Sequence, residues 1–152
     1  MLVGEGPGRN EDLKGTPFVG AAGKFLDELL RLIGLKREEI FITNIVKCRP
    51  PGNRDPLPDE VAACLPYLRR QTRIIKPSLI CTLGNSATRT LTDPDSSISR
   101  VHGSFVAKKG FTFCALYHPA AALYNGSLRQ VQEADFIKLG EYLKKNVPGE
   151  ER

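Results

Sequence analysis

Met1-Leu-Val-Gly-Glu-Gly-Pro-Gly-Arg-Asn-Glu-Asp-Leu-Lys-Gly-Thr-Pro-Phe-Val-Gly-Ala-Ala-Gly23 reads as the end of a buried strand, a long loop rich in glycine and proline, and the start of a helix. Leu2 to Glu5 is the strand end. Gly4, Gly6 and Gly8 alternate with Glu5 and Pro7, and a stretch so poor in Cβ atoms lets backbone approach a ligand closely. From Ala22 to Ile33 the residues Phe25, Leu26, Leu29, Leu30 and Ile33 fall on one helical face, and Gly34 stops the helix. A strand, a ligand-sized loop and a helix in that order are the opening unit of an α/β domain.

The pattern repeats downstream. Ile40-Phe-Ile-Thr-Asn-Ile-Val46 is a β-branched strand, and Arg49 to Pro58, with four prolines and a glycine, is a loop. Asp59 is positioned to N-cap a helix reaching Ile75, with Val61, Cys64, Leu65 and Leu68 along one side and a kink expected at Pro66. Ser78 to Leu83 is a third buried strand, and Gly84-Asn-Ser-Ala87 turns into a short helix ending near Thr92. Val101 to Ala107 and Phe111 to Tyr117 flank Lys108-Lys-Gly110 as a hairpin, and His118-Pro119 ends it. The last helix spans Leu128 to Asn146, with Val131, Phe136, Leu139 and Leu143 inward. Alternating strands and helices predict a three-layer α/β/α sandwich with a mostly parallel central sheet. Ligands collect at the carboxyl ends of such strands, so Glu5, Asn44, Gly84-Asn-Ser86 and His118 are expected to converge on one crevice.

The 152 residues suit a single domain, 1–152. No apolar run approaches the roughly 18 residues that span a bilayer, and the chain opens on a site-like loop rather than a leader, so no membrane association and a cytoplasmic setting are expected. The net charge of +5 and pI near 9.1 favour an anionic partner, with Arg49, Arg54, Arg69, Arg70, Arg73 and Lys76 crowding the middle of the chain. A basic solvated face is the competing reading. Cys81 and Cys114 sit in apolar strands as small hydrophobes, whereas Cys48 and Cys64 border the proline-rich loop. Reduced thiols are expected throughout.

Gly4-Glu-Gly-Pro-Gly8 is neither a Walker loop, since no Gly-Lys-Ser/Thr follows, nor a dinucleotide fingerprint. The longer string Glu11-Asp-Leu-Lys-Gly-Thr-Pro-Phe-Val-Gly20 is more specific. Together with Thr43-Asn-Ile-Val-Lys-Cys-Arg-Pro-Pro51, Asn53-Arg-Asp-Pro56 and Tyr117-His-Pro-Ala-Ala121 it makes the chain resemble the family-4 uracil-DNA glycosylases, the iron–sulfur branch of that superfamily. The resemblance covers essentially the whole chain. It implies an α/β fold and monofunctional hydrolysis of the N-glycosidic bond of a flipped-out deoxyuridine in DNA, leaving an abasic site for base-excision repair. A non-catalytic DNA- or uracil-binding protein of the same fold is the alternative.

The resemblance assigns roles to particular residues. Gly4, Gly6, Pro7 and Gly8 surround the base, Phe18 stacks on it, Asn44 reads its Watson–Crick edge, and His118 donates to uracil O2 as charge develops there. Glu5 and Glu11 are candidates to orient water or balance the sugar cation, with loop capping open as the alternative for each. The best-known uracil glycosylases carry an aspartate where this chain has Gly6. Lys47, Arg49, Arg54 and Arg129 are candidate phosphate contacts, Ser86 belongs to a helix start that could bind a backbone phosphate, and Leu123 is a candidate wedge. His102 is expected at the surface. Cys48 and Cys64, separated by fifteen residues, match the second pair of four [4Fe–4S] ligands, the first pair belonging to an upstream Cys-x-x-Cys segment. The expectation is an N-terminally truncated copy, with an absent or incomplete cluster as the alternative. The partner implied is uracil-containing DNA met by a monomer. A sliding clamp and the choice between U·G and U·A are left open.

Overall fold

The computed structural model describes residues 1–149. Its elements in chain order are β1 (Leu2–Gly4), α1 (Arg9–Lys14), α2 (Ala21–Leu32), β2 (Ile42–Asn44), α3 (Pro58–Ile75), β3 (Ile80–Leu83), α4 (Asn85–Leu91), α5 (Ile98–Val101), β4 (Phe105–Lys108), β5 (Phe111–Leu116), α6 (Ala121–Tyr124) and α7 (Leu128–Asn146), with short 3-10 turns at Arg37–Glu39 and Pro51–Asn53. The sheet order is β2-β1-β3-β5-β4. Four strands run parallel, and only β4 at the edge is antiparallel.

The two-residue period of the strands divides the core. Leu2, Cys81, Leu83, Cys114 and Leu116 face one side, where α2 and α7 cover them with Phe25, Leu26, Leu29, Leu30, Phe136 and Leu139. Val3, Ile80 and Phe113 face the other side, against Leu68 of α3 and Ala87 of α4. The three-layer sandwich is therefore present, and parallel strands β1, β2, β3 and β5 send all their carboxyl ends to one rim. No helix among the described residues is long and apolar enough to cross a membrane.

Several local expectations are corrected. Asp59 does not cap α3: the cap position is Leu57, Pro58 opens the helix, and Glu60 reaches back to accept the Leu57 N–H at 2.8 Å. Pro66 lies inside a helix that continues through it. Val101 belongs to α5, and the hairpin begins only at Phe105, its two-residue turn made by Lys109 and Gly110, both at positive φ. The β2 ladder is three residues long, although Ile45 and Val46 still donate to Gly4 and Glu5 carbonyls. Helix α1 arises inside the expected loop because it buries no residue and so leaves no apolar period to read. His102 is not a free surface residue: its Nδ1 lies 2.7 Å from the buried Asp135 carboxylate, and its ring packs on Tyr117, tying α7 to the sheet.

Candidate active site

A cleft of about 1250 Å³ opens at the carboxyl rim of the sheet, lined by the loop after β1, Asn44, the proline-rich loop, the start of α4, His118 and α6. The expected convergence is therefore observed. Gly4 is not among the lining residues, but it pairs in register with Asn44, which is. A Cβ at Gly4 would stand 2.6 Å from Asn44 Oδ1 and 2.8 Å from Phe18 Cζ, so glycine is what lets these two side chains meet. The Phe18 ring stacks beside the His118 ring, with centroids 5.3 Å apart and 29° between planes. Phe18 and Asn44 are buried, and Asn44 Oδ1 has no hydrogen-bond partner among the described residues. An orphan acceptor in a buried site costs about 1–3 kcal/mol until something donates to it.

His118 is held from two sides. Its Nδ1 accepts the Ala120 N–H at 3.0 Å, so in the neutral ring the proton sits on Nε2; its carbonyl accepts from Gln132 Nε2 at 3.3 Å. Burial pushes its pKa down to about 4, against an opposing pull from the Glu11 carboxylate. The ring is thus a neutral single donor at physiological pH.

The two candidate glutamates separate. Glu11 Oε1 accepts the Gly8 N–H at 3.1 Å, while Oε2 accepts from Val19 and Gly20 at 3.0 and 3.3 Å. It ties the start of α1 to the segment that carries Phe18, which is the loop-capping role. Glu5 faces the cleft half-buried. Burial raises its pKa, the Asp55 carboxyl raises it further, and a hydrogen bond from Ser86 opposes both. Asp55, on the proline-rich loop, also lines the cleft. It was not among the expected site residues, although it stands in the Asn53-Arg-Asp-Pro56 string; Arg37, Gln132 and Tyr124 were missed as well.

Gly6, Pro7, Gly8, Arg54, Ser86 and Leu123 line the same cleft. Arg54 forks onto Glu60 at 2.5 and 3.1 Å at the rim, and Leu123 and Tyr124 are exposed on α6, Tyr124 at 90%. Three expected phosphate contacts lie elsewhere. Arg49 is half-buried outside the cleft lining and donates to Asn53 Oδ1. Arg129 pairs with Glu28 and Glu133 over the Phe25 ring. The Lys47 ammonium donates to Thr43 Oγ1, Asn44 O and Gln71 Oε1 at 2.7–2.9 Å, which uses all three of its protons, and burial lowers its pKa.

Cys64 Sγ accepts the backbone N–H of Lys47 at 3.5 Å, which brings it to the corner occupied by the neighbouring Cys48. Cys81 and Cys114 are register partners buried in the sheet, where the hydrogen bond with the Cys81 thiol and then burial push the Cys114 pKa up. No group of three or more Cys, His, Asp or Glu suited to a metal occurs among the described residues, so these residues do not fit a four-ligand [4Fe–4S] site.

A largely parallel α/β sheet whose rim gathers an aromatic ring, a carboxamide whose oxygen has no partner among the described residues, and a neutral imidazole defines a site for a flat heterocycle. The chain belongs to the uracil DNA glycosylase superfamily, whose family model matches residues 1–144. Within it, the chain is 52% identical over 150 residues to the type-4 uracil-DNA glycosylase of Sulfurisphaera tokodaii, covering 93% of this chain and 68% of that protein. It is 51% identical over 156 residues to the type-4 enzyme of Archaeoglobus fulgidus, covering 97% and 78%. The type-5 uracil-DNA glycosylase of Pyrobaculum aerophilum is more distant, at 30% over 137 residues, covering 79% and 60%.

Proposed function

We propose that the chain is a uracil-DNA glycosylase of the type-4 kind, which hydrolyses the N-glycosidic bond of a flipped-out deoxyuridine in DNA, releasing uracil and leaving an abasic site. The observation that carries this reading is the Asn44 carboxamide. Its buried Oδ1, without a partner among the described residues, lies beside Phe18, which in turn stacks on His118, and uracil brings the N3–H that would satisfy it. Cytosine presents a bare N3 and a 4-amino group, so acceptor would meet acceptor and donor would meet donor, a mismatch that buried polar sites reject strongly.

The residues divide the chemistry as follows. Phe18 supplies the flat apolar face, worth about 1–3 kcal/mol per stacked base. As the C1′–N1 bond breaks, its electron pair moves onto the uracil ring and charge collects at O2, where the Nε2–H of neutral His118 donates. A water attacks C1′ on the emerging oxocarbenium centre, the new C1′–O bond forms, and the water's proton passes to the Glu5 carboxylate. The raised pKa of Glu5 makes it a better base than an ordinary carboxylate. Asp55 and Ser86 adjust that basicity, and Glu11 keeps the loop in place. Arg54 on the rim contacts phosphate, as does the backbone N–H of Ser86, whose hydroxyl is given to Glu5, and Leu123 with Tyr124 fills the stack that the base leaves. The 152 residues act as one domain and as a monomer.

The test is incubation with a uracil-containing oligonucleotide followed by hot alkali, which cuts abasic sites. Cleavage at uracil and none at cytosine is expected. A folded protein that binds the oligonucleotide and leaves no alkali-labile site would instead be a non-catalytic binder.

A further inference from the structure

Phe18 adopts φ +53, a left-handed conformation rare for an aromatic residue. Its carbonyl is held by a residue nineteen positions away. Arg37, in the 3-10 turn before β2, donates from Nη1 to Pro17 O at 2.7 Å, and from Nη2 to Phe18 O at 2.6 Å and Gly23 O at 3.3 Å. Its Nε donates to Asp27 Oδ1 at 2.8 Å, so α2 both supplies the counter-charge and aims the fork. Three carbonyls from two segments point at one guanidinium. The packing on the far side is as tight: a Cβ at Gly23 would come within 1.8 Å of Phe18 O, so that carbonyl rests directly on the α2 backbone.

Arg37 itself does not line the cleft. We propose that Arg37 is the positioning residue for the base platform: by gathering the carbonyls of Pro17, Phe18 and Gly23 it holds Phe18 left-handed and thereby turns its ring against His118 and Asn44. This rests on the reading of Phe18 as the platform. The physical argument is that a planar five-donor fork can serve several divergent acceptors at once, which a lysine cannot. With the fork gone, the three carbonyls lose their common donor and Phe18 returns to the ordinary φ < 0 basin. Its ring then leaves its stack on the imidazole.

A thermodynamic cycle on single-turnover excision tests this, with enzyme in excess over a uracil-containing oligonucleotide. Arg37→Gln should lower the excision rate constant by about 10- to 100-fold, the scale of loss when a reacting group is misplaced by about 1 Å. Arg37→Lys should recover only part of it. Binding to undamaged duplex, read by fluorescence anisotropy, should be unchanged, because Arg37 is off the cleft. The decisive arm is Arg37→Gln in a Phe18→Ala background. No further loss there is expected if Arg37 acts through the ring, whereas a full additional loss overturns the proposal and marks Arg37 as a general stabiliser. Should Arg37→Gln melt below the assay temperature, Arg37→Lys is run through the same cycle. A Phe18→Ala variant as active as the parent sinks the platform reading instead, so the two failures are told apart.

Discussion

The burial of His118 makes a quantitative claim about stability against pH. Its pKa falls from about 6.5 in an unfolded chain to about 4 in the folded one. Between these values the unfolded chain holds more protons than the folded one, so stability rises with pH from about 4 to about 6.5 and is flat in this group on either side. The displacement corresponds to about 3 kcal/mol across that window. In the structure the penalty has two sources, the loss of hydration on charging the ring and the loss of the Ala120 N–H bond once Nδ1 is protonated. Carboxylates titrate in the same range, so the measurement is a difference. Urea unfolding of the parent and of His118→Gln, at half-unit steps from pH 4 to pH 7, gives two stability curves. Their separation should grow in favour of the parent by up to about 3 kcal/mol as pH rises through the window. A separation constant with pH refutes the claim that the imidazole is buried neutral, and with it the Nε2–H donor assigned to uracil O2.

Other expectations follow from the same geometry. Gly4→Ala should cost more than 100-fold in excision, on the scale set by misplaced reacting groups, because its Cβ would enter the space of Asn44 Oδ1 and Phe18; circular dichroism should show the fold intact. Removing the Asp55 charge with Asp55→Asn relieves the repulsion that raises the Glu5 pKa, so the acid limb of the pH–rate profile should move to lower pH. An unmoved limb would detach Asp55 from the proton acceptor. Lys47→Met should lower the melting temperature, since Thr43, Asn44 and Gln71 lose their common donor, yet leave the salt slope of DNA binding unchanged; Arg54→Ala should make that slope shallower by about one.

Helix α7 was legible residue for residue as Leu128–Asn146, because Phe136 and Leu139 recur at the helical period and bury their side chains on the sheet. Strand β3 was legible from a run of apolar residues, and its turn into α4 from Gly84. Helix α1 was not, because a helix held by the Glu11 carboxylate rather than by burial carries no hydrophobic signal. The same limit hid two buried polar residues of α7, Gln132 and Asp135, which periodicity treats as outward positions although they bond the His118 carbonyl and the His102 ring.

Residue chemistry and order along the chain were enough to determine the α/β class and the rim where ligands gather, while Phe18, Asn44 and His118 stood out as candidates only through the resemblance to a known family. Which carboxylate is taken up by backbone N–H groups was decided only in three dimensions, where Glu11 gives both oxygens to the Gly8, Val19 and Gly20 N–H groups while Glu5 meets Asp55 and Ser86. The same holds for the Lys47 ammonium, taken up by Thr43, Asn44 and Gln71, and for the Arg37 fork beneath Phe18. Local patterns record which face of an element is apolar and which side chains can do chemistry. They do not record which donors and acceptors meet when segments distant in sequence cross, and those meetings set charge, tautomer and aim at this site.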